Sequence, residues 1–339
     1  MIDRDGPPPA PVLSVVVAAT DSPVAVARTL ASLAVRGGDG GRVEVIVAAA
    51  WASEVGPGPG EAPDPVRRIS GPPGAGVPRL RRLGLEAATG RVVAFTEDSC
   101  VAAPGWSAAW STAFADPALV AASGVVEHDE AAPTLDWAVF ACEYAPFLAP
   151  AMPGPPPRLA GNNFAATREA ALRESPGEVH ETALLAAIRR RGGATRTVDR
   201  AVVRHVRRYD LGEAIGDRLR SGLEFGSLRP GRGPGSWPWR LAGLLAGPAI
   251  FAAQASRLAA TILRRRRHAG RFAEALPLTL ALLAAWSVGE SIGRGLRRRP
   301  APARPAGCRR HGTAGRPPAP PTGRSGSPPA GCTAGPPAA

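Results

Sequence analysis

Short apolar runs recur along the first hundred residues, separated by stretches in which apolar and polar positions alternate. Val12–Val17, Val43–Val47 and Arg91–Phe95 are rich in apolar and β-branched residues. Continuous apolar runs of this length are typical of strands that are buried on both faces of a parallel sheet. The pattern therefore predicts three strands in the interior of one sheet.

Helical patterns lie between these strands. Ser22-Pro23 is typical of a helix N-cap followed by the first helical position. Val26, Leu30 and Leu33 then follow at the spacing of one helix face, and a second helix is predicted near Pro78–Ala88. Alternating strands and helices predict an α/β fold, with an open sheet, flanking helices and right-handed crossovers.

Polar residues follow two of the predicted strands. Thr20-Asp21 comes after the first strand, and Glu97-Asp98 comes after the third. Ligands of open α/β sheets bind beyond the carboxyl ends of the strands, where carboxylates can hold Mg²⁺ or Mn²⁺ against a diphosphate. Because solvated turns and helix caps share this pattern, the residues alone leave both interpretations open.

Two longer apolar runs lie in the C-terminal third. Leu241–Leu263 would span about 34 Å as a helix, close to the thickness of a bilayer core, and Ala275–Gly289 is shorter. Arginine clusters follow them at Arg264–Arg267 and Arg297–Arg299. The pattern indicates either membrane-associated helices or two core helices with basic ends. A spanning hairpin would separate the two clusters, whereas helices that lie in one leaflet would not.

The charge belongs to this same third. The 339 residues carry a net charge of +13. Residues 1–235 contain 25 arginines and 26 acids, whereas residues 236–339 contain 16 arginines and 2 acids. These arginines flank apolar helices without an aromatic stacking platform, which disfavours nucleic acid as a partner and favours anionic lipid headgroups. The four scattered cysteines predict neither a zinc site nor a disulfide framework, and they fit a reduced, cytosolic environment.

An ordered set of motifs carries a family resemblance. Ser14–Asp21 looks like a first strand that leads into a nucleotide pocket, Arg81–Gly90 is similar to an A-R-N-x-G…A-x-G helix, Arg91–Asp98 matches a strand that ends in D-x-D, and Pro104-Gly105-Trp106 matches P-x-W. Together these segments resemble the family 2 glycosyltransferases, which have the GT-A fold, over residues 12–230. The resemblance implies a mixed, mainly parallel GT-A sheet.

Later segments extend the resemblance. Gly161-Asn162-Asn163-Phe164 with Arg168 looks like the G-x-N…R segment beside the acceptor site, and His180-Glu181 begins a segment similar to the helix that carries the catalytic base. His205 resembles the histidine that completes the metal shell. The implied sites are the base Glu181; donor contacts at Thr20, Asp21, Trp51, Arg81, Glu97 and Asp98; acceptor contacts at Gly161 and Asn163; and ligands of Mg²⁺ or Mn²⁺ at Glu97, Asp98 and His205.

The resemblance implies an inverting hexosyltransferase that moves a sugar from a nucleoside-diphosphate donor to a hydroxyl of a lipid-linked or cell-envelope acceptor. We expect it at the cytoplasmic face of the cell membrane. The sequence departs from the family after the second strand, where Ala48–Trp51 lacks acids, and at Ser99 and Ala187. A catalytically degenerate GT-A domain that binds partners at the membrane is therefore the alternative.

The expected organisation has four parts. Residues 1–11 are predicted to be disordered, and they lack the basic start and apolar run of a signal peptide. Residues 12–232 form the GT-A domain, and residues 236–299 form two apolar helices with arginine clusters. Residues 300–339 contain 11 prolines and no acids, so they are predicted to be disordered.

Overall fold

One sheet organises the part of the chain that the computed structural model describes, which is residues 13–33, 43–49, 51, 66–151, 154–228 and 237–295. The strands are β1 (Leu13–Ala19), β2 (Val43–Ala49), β3 (Val66–Ser70), β4 (Val92–Glu97), β5 (Cys100–Ala102), β6 (Leu119–His128), β7 (Asn163–Thr167) and β8 (Ala194–His205). Their order is β3-β2-β1-β4-β7-β6-β8-β5. Strands β3, β2, β1 and β4 are parallel, whereas β7 runs antiparallel to β4 and β6. The mixed, mainly parallel sheet is the predicted one.

Helices cover both faces of this sheet. They are α1 (Pro23–Leu33), α2 (Val77–Ala87), α3 (Trp106–Ala113), α4 (Thr134–Glu143), α5 (Arg168–Glu174), α6 (Glu181–Arg190), α7 (Leu211–Leu228), α8 (Trp237–Leu244), α9 (Gly247–Arg265) and α10 (Ala269–Gly295). Strand β1 is buried at every position. Val15 and Val17 belong to the core on the side of α1, α3, α4 and α10, and Val16 belongs to the core on the side of α2, α5 and α6.

Glycines allow α7 and α10 to pack with their backbones in contact. A Cβ atom at Gly222 or Gly226 of α7 would overlap a carbonyl oxygen of α10, and a Cβ atom at Gly289 or Gly293 of α10 would overlap a carbonyl oxygen of α7. Each glycine pair is four residues apart, so both members lie on one helix face. This interface ties α10 to the helix that directly follows the sheet.

Side-chain contacts also join α9 and α10 to the sheet domain. The Phe272 ring of α10 packs edge-on against Trp137 of α4, with 5.5 Å between centroids. Arg265 of α9 donates hydrogen bonds to carbonyl groups in the loop 146–150, and Arg267 also bonds to this loop. These helices are therefore packed on the domain rather than extending away from it.

The structure differs from the predicted elements in two ways. The run Leu241–Leu263 contains two helices instead of one, because the chain turns at residues 245–246 before Pro248 starts α9. Strands β3, β5, β6, β7 and β8 and several helices, such as α4 and α7, were not predicted. Of the described helices only α10 is long and apolar enough to cross a membrane, and 39% of its apolar window is buried. The predictions for residues 1–11 and 300–339 lie outside the described residues.

Candidate active site

The carboxyl ends of β1 and β4 lie side by side, and Asp98 joins them. Ala18 pairs with Glu97 in the sheet register. The Asp98 carboxylate accepts hydrogen bonds from the backbone N–H groups of Thr20 and Asp21, with N···O distances of 2.8–3.2 Å. The predicted polar residues therefore gather at one edge, as expected for neighbouring parallel strands.

Asp98 bonds to the backbone in this structure, and its predicted contacts with a donor and a metal stay predictions. Its side chain is 1% exposed, and both carboxylate oxygens are directed to backbone N–H groups. Burial raises the pKa of Asp98 to about 6, the Asp21 charge adds to this, and the backbone hydrogen bonds oppose it. Asp98 holds the segment after β1 in place.

Arg81 of α2 connects three segments of the site. Its Nη1 lies 2.9 Å from Glu181 Oε2, and its Nη2 lies 2.9 Å from Glu97 Oε1. The guanidinium also donates to the carbonyl oxygens of Gly161 and Val179, at 2.8 and 3.3 Å. Because one guanidinium binds both carboxylates, the first residue of α6 and the last residue of β4 face the same small volume.

In this geometry Arg81 binds protein groups, and its predicted contact with donor phosphates stays a prediction. The Arg81 residue is 3% exposed, and both of its Nη atoms donate to protein oxygens. A guanidinium offers a rigid fork of donors, which suits the simultaneous orientation of two carboxylates. Arg81 is a positioning residue for Glu97 and Glu181.

Glu97 and Glu181 differ in their access to solvent. The side chain of Glu97 is 17% exposed, and that of Glu181 is 30% exposed. Burial raises the pKa of Glu97, the Arg81 charge opposes this, and the Asp98 charge adds to it. A Cβ atom at Gly161 would lie 3.8 Å from Glu181 Oε1, so the glycine keeps the space beside this carboxylate open.

Asn163, predicted as an acceptor contact, has a structural role instead. It is 0% exposed. Its Oδ1 accepts from Trp106 Nε1 at 2.9 Å, and its Nδ2 donates to the carbonyl oxygens of Val125 and Ala201 at 2.8 and 2.7 Å. With its amide satisfied by the protein, Asn163 locks β7 to β6, β8 and α3.

His205 lies at the end of β8, where it pairs with Cys100 of β5. Its ring is buried between Tyr144 and Tyr209, with centroid distances of 4.8 and 6.1 Å. Burial lowers the pKa of His205 to about 3, so the ring is neutral at physiological pH. The sequence analysis did not identify these two tyrosines as site residues. Their rarity was the one signal available, since the chain contains only two tyrosines.

The three predicted metal ligands do not form one group. Among the described residues, no three His, Cys, Asp or Glu side chains come together as a metal site. Tyr144 contacts the His205 ring. Burial raises the Tyr144 pKa, and the charges of Glu143 and Glu97 add to this, so Glu97 lies near the tyrosine that packs on His205. The Nδ1 atom of His205 is buried without a hydrogen-bond partner among the described residues. These donors fit a cation that takes its other ligands from phosphate and water.

An arginine that sequence reasoning missed borders Asp21. Arg207 Nη1 lies 3.2 Å from Asp21 Oδ1, and its guanidinium stacks over the Tyr209 ring at 5.0 Å. Burial raises the pKa of Asp21, and the Arg207 charge opposes this. In the sequence, the only signal for Arg207 as a site residue is its position two residues after His205. Trp51, predicted to stack on a base, lies half-buried in the turn after β2.

Comparison with known proteins identifies the fold. A mannosyltransferase from Pyrobaculum calidifontis, solved with GDP-Man and Mn²⁺, is 19% identical and superposes with a TM-score of 0.50, covering 84% of this chain and 88% of that chain. A mycobacterial protein (18% identity, 62% and 73% coverage, TM-score 0.41) and glucosyl-3-phosphoglycerate synthase from Mycobacterium tuberculosis (19%, 60% and 73%, 0.40) are more distantly similar. No family model and no curated protein matches the chain. The chain has the GT-A-like fold of nucleotide-sugar transferases.

Proposed function

We propose that the chain is an inverting glycosyltransferase that moves a hexose from a nucleoside-diphosphate donor to a hydroxyl acceptor. One observation carries the proposal: in a GT-A-like fold, Arg81 holds the partly exposed Glu181 beside Glu97 at the carboxyl edge of the sheet. The similar mannosyltransferase, solved with GDP-Man and Mn²⁺, supports a nucleotide-sugar donor for this chain.

In the proposed reaction, Glu181 accepts the proton of the acceptor hydroxyl while that oxygen attacks the anomeric carbon. The new C–O bond forms on the face opposite the donor phosphate, the bond to the phosphate oxygen breaks, and the nucleoside diphosphate leaves with the electron pair. A carboxylate serves as a general base when it is held within hydrogen-bond reach of the proton. Arg81 provides this orientation by binding Glu181 Oε2, while Oε1 lies on the side of Gly161, which has no side chain.

We propose a divalent cation, Mg²⁺ or Mn²⁺, as a cofactor. Glu97 and His205 are the residues that would hold it, because Glu97 is a desolvated carboxylate and His205 has a buried Nδ1 without a partner among the described residues. When bound, such a cation supplies positive charge that neutralises the diphosphate.

We further propose a membrane-associated enzyme with a lipid-linked or cell-envelope acceptor, at the cytoplasmic face of the cell membrane. Of the exposed large apolar side chains in the described part of the chain, all except Val24 lie between Leu211 and Val288. In the cluster Arg264–Arg267, Arg264 and Arg266 are exposed, and their side chains form no hydrogen bond or ion pair with the described residues. Apolar residues beside free arginines suit an anionic lipid surface.

The substitution Glu181→Gln tests the enzyme proposal. The amide keeps the shape but cannot take a proton, so we expect nucleoside-diphosphate release from GDP-mannose or UDP-glucose with Mn²⁺ to fall about 10²–10⁴-fold. Thermal stabilisation by the same nucleotide sugar should persist, because binding to the folded state does not require the base.

Glu178→Gln is the matched control, since Glu178 precedes the same helix and pairs only with His180 among the described residues. It should retain full activity. If no nucleotide sugar stabilises the chain, or if both variants turn over like the wild type, the proposed function is wrong.

The second candidate is a catalytically degenerate GT-A domain that binds partners at the membrane. Ala48 and Ala49, fully buried at the end of β2, favour it, because they offer no acceptor for the hydrogen bonds of a nucleotide base. Absence of both nucleotide-sugar binding and turnover under every metal condition, in a folded chain, would support this candidate, and measurable donor binding by calorimetry would count against it.

A further inference from the structure

A cavity is lined by residues of β6, β8, α9 and the segment that leads to Gly161, and two of these residues are arginines. Its walls include Ser123, Phe147, Arg158, Thr197 and Arg265. We call it the Arg158 cavity. It is about 40 Å³ in volume, which suits a small polar group better than a sugar ring.

The segment 158–161 joins this cavity to the catalytic carboxylate. Arg158 is in the wall, and Gly161 borders Glu181. Between them, the backbone N–H of Ala160 donates to Ser123 Oγ at 3.0 Å, and Ser123 is also in the wall. A ligand that contacts Arg158 would therefore bind three residues along the chain from Gly161, the glycine that borders the proposed base.

Positive charge in and around the cavity has few anionic partners. The Arg158 guanidinium stacks over the Phe147 ring at 5.6 Å and forms no hydrogen bond or ion pair with the described residues. Burial and the charge of Arg257 on α9 lower the pKa of Arg158, and the Glu181 charge opposes this. Glu181 is already bound by Arg81, so Arg158 has no counter-ion of its own.

Arg265 adds a second cation to the wall. It donates hydrogen bonds to the carbonyl oxygens of Pro146 and Pro150, which hold the loop against α9. Burial lowers the pKa of Arg265, and the charge of Glu127 opposes this. Guanidinium groups with free donors are well suited to phosphate oxygens. The hydroxyl of Thr197 is a further donor in the wall.

We propose that the Arg158 cavity binds a phosphate group of the acceptor, so that the substrate is a phosphate-bearing molecule whose hydroxyl group reaches Glu181. This proposal rests on the proposed function. The phosphate does not react: it fixes the acceptor while the hydroxyl oxygen gains the bond to the sugar and loses its proton to Glu181. Positioning of this kind lowers the entropic cost of the reaction.

Calorimetry on the full chain tests the proposal with glycerol 3-phosphate as the soluble probe, glycerol as the uncharged comparison, and phosphatidate vesicles as the lipid probe. We expect a phosphate-bearing probe to bind and glycerol not to bind. Loss of one charged hydrogen-bonding partner should weaken the binding of the phosphate about tenfold or more in Arg158→Gln. Arg173→Gln, an exposed arginine of α5 that pairs with Glu169, is the control and should bind like the wild type.

The outcomes separate the possibilities. Arg158-dependent binding of glycerol 3-phosphate supports a soluble acceptor, and Arg158-dependent binding of phosphatidate vesicles alone supports a lipid acceptor. Should Arg158→Gln fail to fold, Arg265→Gln, which removes the other arginine of the cavity wall, provides the same comparison. Binding that is equal in these variants and the wild type, or absent for both probes, overturns the proposal.

GDP-mannose binding, measured on the same preparation, distinguishes this site from the proposed function. A chain that binds the phosphate probe but no nucleotide sugar would keep the anion site and lose the enzyme proposal. A chain that binds the nucleotide sugar but neither phosphate probe would keep the enzyme proposal and lose the anion site.

Discussion

At the scale of single residues, the site depends on how one buried cation is shared. Arg81 is the cation that binds both Glu97 and Glu181, and these two carboxylates belong to elements far apart in sequence. Removing one partner of a buried ion pair is costly, because the remaining charge stays desolvated without compensation. Arg81 therefore links stability and site geometry.

We predict that Arg81→Gln lowers the free energy of unfolding by about 3–5 kcal/mol, measured by urea denaturation. Arg79→Gln, on the same helix and with no described hydrogen bond or ion pair from its side chain, should change it by less than about 0.5 kcal/mol. In the double variant Arg81→Gln/Glu97→Gln, part of the loss should be recovered because one unpaired carboxylate is gone. Equal unfolding free energies for Arg81→Gln and Arg79→Gln would contradict this interpretation.

The residue scale also shows what sequence could and could not predict. Strand ends predicted correctly that Thr20, Asp21 and Glu97 share one edge, because neighbouring parallel strands end together. Spacing did not predict that Asp98 and Asn163 direct their polar atoms to the backbone. Which hydrogen bonds a side chain has already made is decided by tertiary packing, which no local pattern contains.

At the scale of elements, the apolar runs of the first hundred residues were predicted, whereas most later elements, including the long buried strand β6, were not. The apolar runs of β1 and β2 identify them directly, whereas β3 has the sequence Val-Arg-Arg-Ile-Ser and lies at the sheet edge, where burial imposes little pattern. The apolar run of α10 indicated a helix without indicating its partners. Its neighbours, α4 and α7, were set by glycine contacts and aromatic packing.

The α7–α10 interface yields a prediction about one methyl group. Gly222→Ala places a Cβ atom against the Trp286 carbonyl oxygen of α10, so we expect a loss of about 1–3 kcal/mol of stability from overpacking. Gly216→Ala, on the same helix with nothing within 4 Å of the added atom, should gain about 0.5–1 kcal/mol through helix propensity. Thermal unfolding measures both.

The reactivity of Cys142 also tests whether overpacking between α7 and α10 displaces α10. The Cys142 thiol of α4 lies 3.9 Å from the Thr279 carbonyl oxygen of α10, and burial raises its pKa to about 11. Alkylation by iodoacetamide, localised by mass spectrometry, should be slow in the wild type and Gly216→Ala and faster in Gly222→Ala. Opposite or equal effects of the two alanines would show that α7 and α10 do not pack through these glycines.

At the scale of the whole molecule, charge and apolar exposure are concentrated in the same helices. The arginines Arg264–Arg267 at the end of α9 have two roles. Arg265 and Arg267 hold α9 to the loop 146–150 and to Glu127, whereas Arg264 and Arg266 face solvent. α10 packs against α4 and α7, so only its remaining face can contact a membrane while these helices stay packed. We infer in-plane association with a membrane in place of a span.

The last prediction tests this mode of association by flotation with vesicles. Full-length protein should float with vesicles that contain phosphatidylglycerol, bind less to pure phosphatidylcholine, and dissociate at high salt or in alkaline carbonate, since screening weakens the arginine contribution. Leu245→Asp/Leu263→Asp removes two side chains that are 69% and 73% exposed, each contributing about 1.5–3 kcal/mol when buried in lipid. Binding should therefore fall by at least about a hundredfold.

Val24→Asp is the matched control, because Val24 is 78% exposed on α1, outside the C-terminal helices, and its replacement should leave flotation unchanged. A chain that resists carbonate extraction would establish a spanning α10, which would require that helix to leave α4 and α7. A chain in which Val24→Asp weakens flotation as much as the double variant would place the lipid contact elsewhere. Retention of binding by Val24→Asp, together with its loss in the double variant, would assign the contact to α8 and α9, beside the Arg158 cavity.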